Sequence, residues 1–477
     1  MPLRPLVAAA AVCFATGAIA QQPPPLTEAE ALGLIDLTVE EIAEQLEARV
    51  NAGLPEATDL NEAIAAFEAF AVDALARVEA EHGWIWTQFD FDIDRSLWGD
   101  PAAAADEGWT PEKHELALAE YRDAVAATVT ALTTPEALRL IDRMAASAPM
   151  RVTIDADAPI QQMMSPSRPG RFADGAVHLP GLLSRTARDA AKRGDDDAAV
   201  AHLARLHALA GVMQGHPRNL ITGLNYLSWV RSLAEFGVRP ALASGALSAD
   251  DCRELRAILQ GVDCLTIGRA ASDAEMFVTA SIMRGLVDEV GEDERTAAEA
   301  DWRLTVGLWA SLNSAYTTPI GAGDHWKKAA KLIGQLAEQG GDLAAILAPA
   351  WMRVAFSTQI AQLEVEASVI MLALEEHRLD RGSHPATLDD LVPRYLDAVP
   401  IDPLTGEQFR YIRTVEGDAA PTTGYTLYSI GSDMHDDGGA VDPRFLTAGL
   451  GYDIATERPY DHIFNRPYPL PGELDAE

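Results

Sequence analysis

A short acidic loop near the C-terminus carries the residues best suited to metal chemistry. Asp433, Asp436 and Asp437 lie close together and are followed by Gly438 and Gly439. Carboxylates crowded onto so short a loop repel one another unless water or a cation neutralises them. Hard oxygen ligands on a glycine-containing loop suit Ca²⁺ better than Zn²⁺. The loop therefore predicts either a calcium site or a solvated acidic turn.

The spacing of the loop excludes an EF-hand. Counted from Asp433, the third position is His435 and the twelfth is Arg444, where an EF-hand requires a glutamate that binds Ca²⁺ through both oxygens. The preceding residues, 425–430, alternate in character and end at Gly431, which predicts a strand with one buried face.

The order of segments before and through this loop resembles the C-terminal half of the type II secretion major pseudopilin. The resemblance covers about residues 355–454. It is carried by Leu374-Glu375-Glu376-His377, His384-Pro385-Ala386-Thr387-Leu388, Val399-Pro400-Ile401-Asp402-Pro403-Leu404-Thr405-Gly406, Phe409-Arg410-Tyr411 and Leu427-Tyr428-Ser429-Ile430-Gly431. The resemblance implies a long helix followed by a small α+β module.

In that family the last loop binds calcium and closes with an Asp-Ile pair, which Asp453-Ile454 matches here. The resemblance thus implies Asp433 and Asp453 as side-chain ligands, with Asp436 and Asp437 as further candidates. The chain departs from the family in two ways. It lacks the pilin N-terminal methylation and membrane helix, and its spacing to Asp453 is longer. Assembly into a pseudopilus is therefore not implied.

The complete chain is also similar to a set of exported, mainly helical bacterial proteins of unassigned function. The shared features are His178-Leu179-Pro180-Gly181-Leu182, a helical hairpin that turns at Arg193-Gly194, and the same C-terminal segment. This similarity implies an architecture without implying an activity.

A second candidate site lies in the acidic and aromatic stretch 84–100. Three carboxylates, Asp90, Asp92 and Asp94, alternate with apolar residues, and tryptophans stand nearby. Carboxylate pairs carry out acid–base chemistry in glycosidases, so the stretch predicts a carbohydrate-active enzyme as the alternative function. The other interpretation is an edge strand whose solvated acidic face prevents aggregation.

The net charge and the missing catalytic motifs narrow the functions that the sequence predicts for the protein. The 477 residues carry a formal net charge of −35, and such a surface repels nucleic-acid phosphates and anionic membranes. Serine-hydrolase, Walker, dinucleotide and zinc-hydrolase motifs are absent from the sequence. The missing motifs favour a non-enzymatic protein, and the composition leaves its partners open, other envelope proteins being one class of candidate.

The N-terminal residues 1–20 have the pattern of a signal peptide. Arg4 precedes a short apolar run, and Ala18-Ile19-Ala20 forms a cleavage site before Gln21. The sequence therefore predicts a periplasmic or secreted protein without a membrane span. Export permits disulfides. The helical pattern between Cys252 and Cys264 nevertheless predicts two buried free thiols.

The predicted fold class is mainly α. A helical domain covers 21–350, with a subdivision near 158–176, and a pseudopilin-like α+β module covers 351–454. An extended tail rich in proline and tyrosine covers 455–477. His207 is predicted to be a packed histidine because its spacing from His202 does not form a zinc site.

Overall fold

The structure is a computed structural model. It describes residues 24–56, 59–82, 123–147, 151, 154, 179–214, 220–289, 291–313, 316, 342–414, 424–431, 434–439 and 461–465. The predicted signal peptide, the stretch 84–100, Asp433 and Asp453 lie outside these residues.

The described part of the chain is mainly helical, as predicted. Its helices are α1 (Glu28–Gly33), α2 (Val39–Val50), α3 (Leu60–His82), α4 (Pro135–Ala146), α5 (Leu179–Lys192), α6 (Asp196–Gln214), α7 (Leu220–Arg231), α8 (Arg239–Ser244), α9 (Ala249–Gln260), α10 (Cys264–Glu289), α11 (Glu292–Asn313) and α12 (Asp342–Arg381). Residues 123–132 are also helical. Short 3₁₀ turns follow at Leu34–Asp36 and Leu388–Leu391, and a π-helix at Ser232–Val238 joins α7 to α8.

Helix α12 is the central element of this fold. It has 40 residues, and nearly every side chain from 354 to 374 is buried. A helix that is covered on all sides belongs to the core of a large domain. Helices α7, α9, α10 and α11 pack against it, and so does the C-terminal sheet. The predicted domain boundary at residue 351 lies inside this continuous helix.

Local sequence signals set several helix ends. Thr27, Thr38 and Ser248 cap α1, α2 and α9, and each forms a capping box with an acidic residue three positions later. The predicted hairpin is confirmed, because α5 ends at Lys192 and Gly194 adopts a left-handed backbone before α6.

The N-terminal segment, residues 24–50, is bound to α10 through the buried carboxylate of Asp273. Asp273 is 1% exposed and accepts hydrogen bonds from the backbone N–H of Leu26 and from Arg49, at 2.9 and 2.7 Å. The Arg49 guanidinium also donates to the carbonyl of Pro24. This segment and α10, α11 and the first part of α12 share one apolar cluster.

The sheet has the strand order β1 (Arg410–Arg413), β2 (Tyr425–Ser429), β3 (His462–Ile463), and both pairings are antiparallel. Strand β2 was expected to have one buried face, but all five of its residues are buried. The expectation was wrong because β2 is central: α12 covers one face and residues 434–439 lie over the other. Of the predicted tail at 455–477, residues 461–465 are described.

Cys252 and Cys264 are buried and free, as predicted. Cys252 lies on α9 and Cys264 begins α10, with a turn at Gly261 between the helices. Burial raises the pKa of both thiols. None of the described helices is long and apolar enough to cross a membrane.

The crossing of α10 and α12 depends on a glycine. A Cβ added at Gly268 would lie 2.2 Å from Oγ1 and 2.6 Å from Cγ2 of Thr358. Thr358 is fully buried and β-branched, so its short side chain has no room to turn away. The two helices must therefore separate to admit a side chain at this position.

We expect Gly268→Ala to lower the free energy of unfolding by about 1–3 kcal/mol, the usual cost of overpacking a core. The matched control is Gly285→Ala on the same helix, where nothing lies within 4 Å of the added Cβ. That substitution should be neutral or stabilising by up to about 1 kcal/mol, because alanine is the better helix former. Urea denaturation of both variants measures the difference, and equal stabilities would contradict the close crossing.

The predicted packing of His207 is confirmed, since its side chain is 3% exposed on α6. Burial lowers the pKa of His207 from 6.5 to about 4. Between these two pH values the unfolded chain takes up a proton that the folded chain does not. This histidine therefore contributes stability above pH 6.5 that is lost as the pH falls towards 4.

Because of His207, the free energy of unfolding of the wild type should fall by up to about 1.4 kcal/mol for each pH unit below 6.5 in that window. We expect His207→Gln to abolish this part of the pH dependence. Unfolding free energies of the wild type and the variant at pH 7, 6 and 5 measure it. Leu209→Ala on the same helix removes a buried side chain that does not titrate. Its cost should stay constant with pH, and a constant cost for His207→Gln as well would refute the effect.

Candidate functional site

The acidic loop, residues 434–439, lies against the face of β2 that points away from α12. Gly438 and Gly439 have φ values of 72° and 76°, which favour glycine. A Cβ added at Gly439 would lie 3.4 Å from Thr426 Cγ2 and 3.5 Å from the Tyr428 ring. The glycine pair therefore turns the backbone and lets it approach the strand closely.

Asp436 fixes the loop to the sheet. Its carboxylate accepts hydrogen bonds from the Tyr428 hydroxyl at 3.1 Å and from the Gly438 N–H at 3.0 Å. It also forms an ion pair with Arg410 at 3.2 Å. Desolvation opposes ionisation, but these hydrogen bonds and the arginine together hold the pKa of Asp436 below its usual value. Both carboxylate oxygens thus have partners within the protein.

Asp461 holds the other end of the loop. It is 6% exposed, and its two oxygens accept the backbone N–H groups of Asp437 at 3.3 Å and of Gly439 at 2.7 Å. Desolvation raises the pKa of Asp461, and the carboxylates of Asp436 and Asp437 raise it further. The carboxylates of Asp436 and Asp437 therefore repel that of Asp461.

Asp437 is the described loop carboxylate with an unsatisfied oxygen. Its Oδ1 lies 3.5 Å from His435 Nε2. Its Oδ2 is shielded from solvent and has no hydrogen-bond partner among the described residues. This atom is available to a ligand that brings positive charge.

The structure brings two of the four predicted metal residues, Asp436 and Asp437, into one loop. Asp433 and Asp453 lie outside the described residues, as does the whole stretch 84–100. Within the described residues no group of three or more acidic, histidine or cysteine side chains has the arrangement of a metal site.

A buried charged cluster, Arg239–Glu364–His462, lies beneath the sheet. Glu364 on α12 is fully buried and forms an ion pair with Arg239, which is 7% exposed. His462 Nε2 lies 2.9 Å from Glu364 Oε1. The arginine neutralises a carboxylate that would be costly to bury alone. The cluster thus joins β3, α12 and the start of α8.

The π-helix Ser232–Val238 places Arg239 in this cluster. Helix α7 ends at Arg231, and the wider π turns begin at Ser232 and lead directly into Arg239. The carbonyl of Ser232 accepts a hydrogen bond from the Ser184 hydroxyl. π-Helical segments are rare and are frequent at functional sites. Here the π-helix positions the Arg239 guanidinium next to Glu364 on α12.

A second charged cluster lies further along α12. Glu376 is 3% exposed and binds Arg253 at 2.9 Å and Arg256 at 2.8 Å, both on α9. These contacts join α9 to α12 near the end of the long helix.

Sequence reasoning missed Asp461 and the three members of the Arg239–Glu364–His462 cluster. Asp461 and His462 stand just before two apolar residues inside a stretch rich in proline and tyrosine. This pair of polar residues beside two apolar residues is the sequence feature that could have indicated a structured segment here. The other two residues lie far apart in sequence, and no local pattern joins them.

No family model, curated protein or solved structure matches the chain. The roles assigned to these residues therefore rest on their geometry and chemistry.

We expect Arg239→Met to lower the free energy of unfolding by about 3–5 kcal/mol, because it leaves Glu364 buried without its cation. The double variant Arg239→Met/Glu364→Leu should lose less, since no uncompensated charge remains. As a control, Arg303→Met breaks an exposed ion pair with Glu299 and should cost about 0.5 kcal/mol or less. Urea denaturation measures all three, and a double variant less stable than the single would contradict the pairing.

Proposed function

We propose that the chain is an exported, non-enzymatic protein of the cell envelope or extracellular space, with one structural calcium ion at the acidic loop. The signal-peptide pattern at residues 1–20 and the resemblance of residues 355–454 to the major pseudopilin support this proposal. The long helix α12 and the small antiparallel sheet packed against it agree with the long helix and small α+β module that the resemblance implies.

The observation that carries the calcium proposal is the unsatisfied Oδ2 of Asp437. Asp437 and Asp436 both repel the carboxylate of Asp461, which lies beside the loop. A divalent cation offsets such repulsion, and Ca²⁺ accepts carboxylate and carbonyl oxygens in flexible geometry. Asp437 would supply one ligand.

The other ligands are assigned from the resemblance. Asp433 and Asp453 would supply side-chain oxygens, and backbone carbonyls near Ser429 and Gly431 would complete the set. Asp436 has a different role in this arrangement, because its oxygens already bind Tyr428, Gly438 and Arg410. It fixes the loop against the sheet.

Three buried carboxylates, Glu364, Asp273 and Glu376, join parts of the fold, and this supports the non-enzymatic part of the proposal. Glu364 is fully buried, Asp273 is 1% exposed and Glu376 is 3% exposed. Each pairs with an arginine from another element, so each joins parts of the fold. Acid–base catalysis instead requires a group within reach of substrate. The alternative, a carbohydrate-active enzyme, rests on residues 84–100 and stays a prediction.

We expect calcium to raise the unfolding temperature of the full-length protein. At a hundredfold excess over its dissociation constant, a ligand of the folded state adds about 2.7 kcal/mol to the free energy of unfolding. Magnesium should have a smaller effect, because its compact octahedral geometry suits this flexible loop less well. Thermal unfolding with calcium, magnesium or a chelator measures the shift.

Two variants serve as controls for that experiment. Asp437→Asn should remove most of the calcium shift, whereas Asp397→Asn, at an exposed position of the same module, should retain it. Asp90→Asn should also retain it and thus separates the loop from the alternative site. Identical melting of chelated and calcium-loaded protein would show that the loop is a solvated acidic turn.

A further inference from the structure

Strand β1 lies at one edge of the sheet, and part of its backbone is open on the side away from β2. No further strand of the described residues pairs with it. The N–H of Thr414 donates to the carbonyl of Gly424 at 3.0 Å. Hydrogen-bonded pairs alternate along an antiparallel ladder, so Ile412 also bonds to β2. The backbone N–H and C=O groups of Tyr411 and Arg413 therefore point outward.

The hydrogen bonds of β2 have the phase that this requires. Leu427 lies opposite Tyr411. The N–H of Leu427 donates to Asn465 and its carbonyl accepts the N–H of Phe464, both on the β3 side of the strand. Leu427 therefore leaves the backbone groups of Tyr411 unpaired by β2.

The open part of this edge has a defined start. Just before β1, Ile401 forms an isolated bridge with Gln408. The N–H of Asp402 donates to the carbonyl of Glu407 at 2.8 Å, on the side away from β2. The bridge does not continue into a ladder, so a strand added to β1 would begin beside Tyr411.

Two exposed side chains lie at the open edge. Ile412 is 46% exposed and shares a face with Thr426, against which the acidic loop lies. Arg413 is also exposed and lies on the opposite face, with Tyr411. Burial raises the pKa of Tyr411 to about 12, and the nearby Arg413 guanidinium opposes this shift. The edge thus offers an apolar side chain on one face and a cation on the other.

The charge of Arg413 is available to a partner. The other arginine of β1, Arg410, forms ion pairs with Glu407 and Asp436, whereas Arg413 has no ion pair among the described residues. In a chain with 72 acidic and 37 basic residues, an exposed arginine without a carboxylate can accept one from another molecule. Two copies of β1 placed side by side would instead bring their arginines onto one ladder, where like charges repel.

We propose that β1 from Tyr411 to Arg413 is a docking site for an extended acidic segment of a partner protein, which adds to the sheet as an antiparallel strand. The segment carries a carboxylate opposite Arg413, an apolar residue opposite Ile412 and an uncharged residue opposite Tyr411. In strand addition, backbone hydrogen bonds provide affinity and alternate side chains provide specificity. Since two residues of β1 offer outward backbone groups, the contact is weak by itself. It does not involve the proposed calcium ligands.

The experiment uses the full-length wild-type protein and, as probe, the synthetic peptide Ser-Ser-Glu-Val-Thr-Ser-Ser. Saturation-transfer NMR titration measures its dissociation constant, because this method detects weak ligands of a large protein. We expect binding, with the strongest transfer at the valine methyl groups, which would lie beside Ile412.

Two N-methylated peptides distinguish strand addition from other binding. Methylation of the glutamate and threonine nitrogens should abolish binding, because these N–H groups would bond to β1. Methylation of the valine nitrogen should leave binding intact, because that N–H points away from the sheet.

A charge swap tests the role of Arg413. Arg413→Glu should bind the peptide about threefold more weakly or worse, and it should prefer a peptide with lysine in place of glutamate. The exposed Arg77→Glu on α3 is the matched control and should retain the preference of the wild type. Both side chains are exposed, so both variants should fold.

Absence of saturation transfer would overturn the proposal, and so would equal binding of the two N-methylated peptides or an unchanged preference for glutamate in Arg413→Glu. Sedimentation of the wild type and of Ile412→Lys tests the other occupant. A dimer that Ile412→Lys abolishes would show that a second copy covers this edge, which would also contradict the acidic partner.

Discussion

The arrangement of this protein depends on a carboxylate buried in its central helix. Glu364 has no exposed surface, and a bare charge in that position would cost several kcal/mol. Arg239, the first residue of α8, and His462, in the last described strand, both contact it. Pairing the Glu364 carboxylate therefore fixes the position of the sheet on α12 and the course of the chain from α7 to α8. A purely apolar contact would permit sliding, whereas paired charges define a single position.

The acidic loop shows how similar side chains take different roles according to their neighbours. Asp436 accepts hydrogen bonds and faces an arginine, so it stays ionised and holds the loop. Asp461 is more deeply buried and orders the loop backbone through two N–H groups. Asp437 lacks a partner for one oxygen and is the residue with capacity to bind something else. Composition alone makes the three equivalent.

Features with local causes were predictable from the sequence. The turn at Gly194 and the helix start at Ser248 follow from residues within a few positions. Cys252 and Cys264 are buried and free as predicted, although the helical pattern between them is interrupted at Gly261. Features that depend on distant partners were not predictable. Alternation in β2 indicated one buried face because the loop that covers the other is not visible in the pattern. The Glu364–His462 contact spans 98 residues, and neither residue lies in a motif that points to the other.

The late position of residues 461–465 in the chain has a consequence for folding. These residues emerge after all the described groups that they contact. Until then β2 has an open edge, and the aromatic pocket beside Arg239 is empty. Unpaired strand edges and exposed apolar surface are what make incomplete folds aggregate. The contacts of Leu26 with Asp273 and of His462 with Glu364 join distant parts of the chain, and such non-local closure slows folding. The folding chain therefore passes through an interval in which α12 has formed but β3 has not yet paired with β2. A chaperone that covers the open edge of β2 would be most useful during this interval.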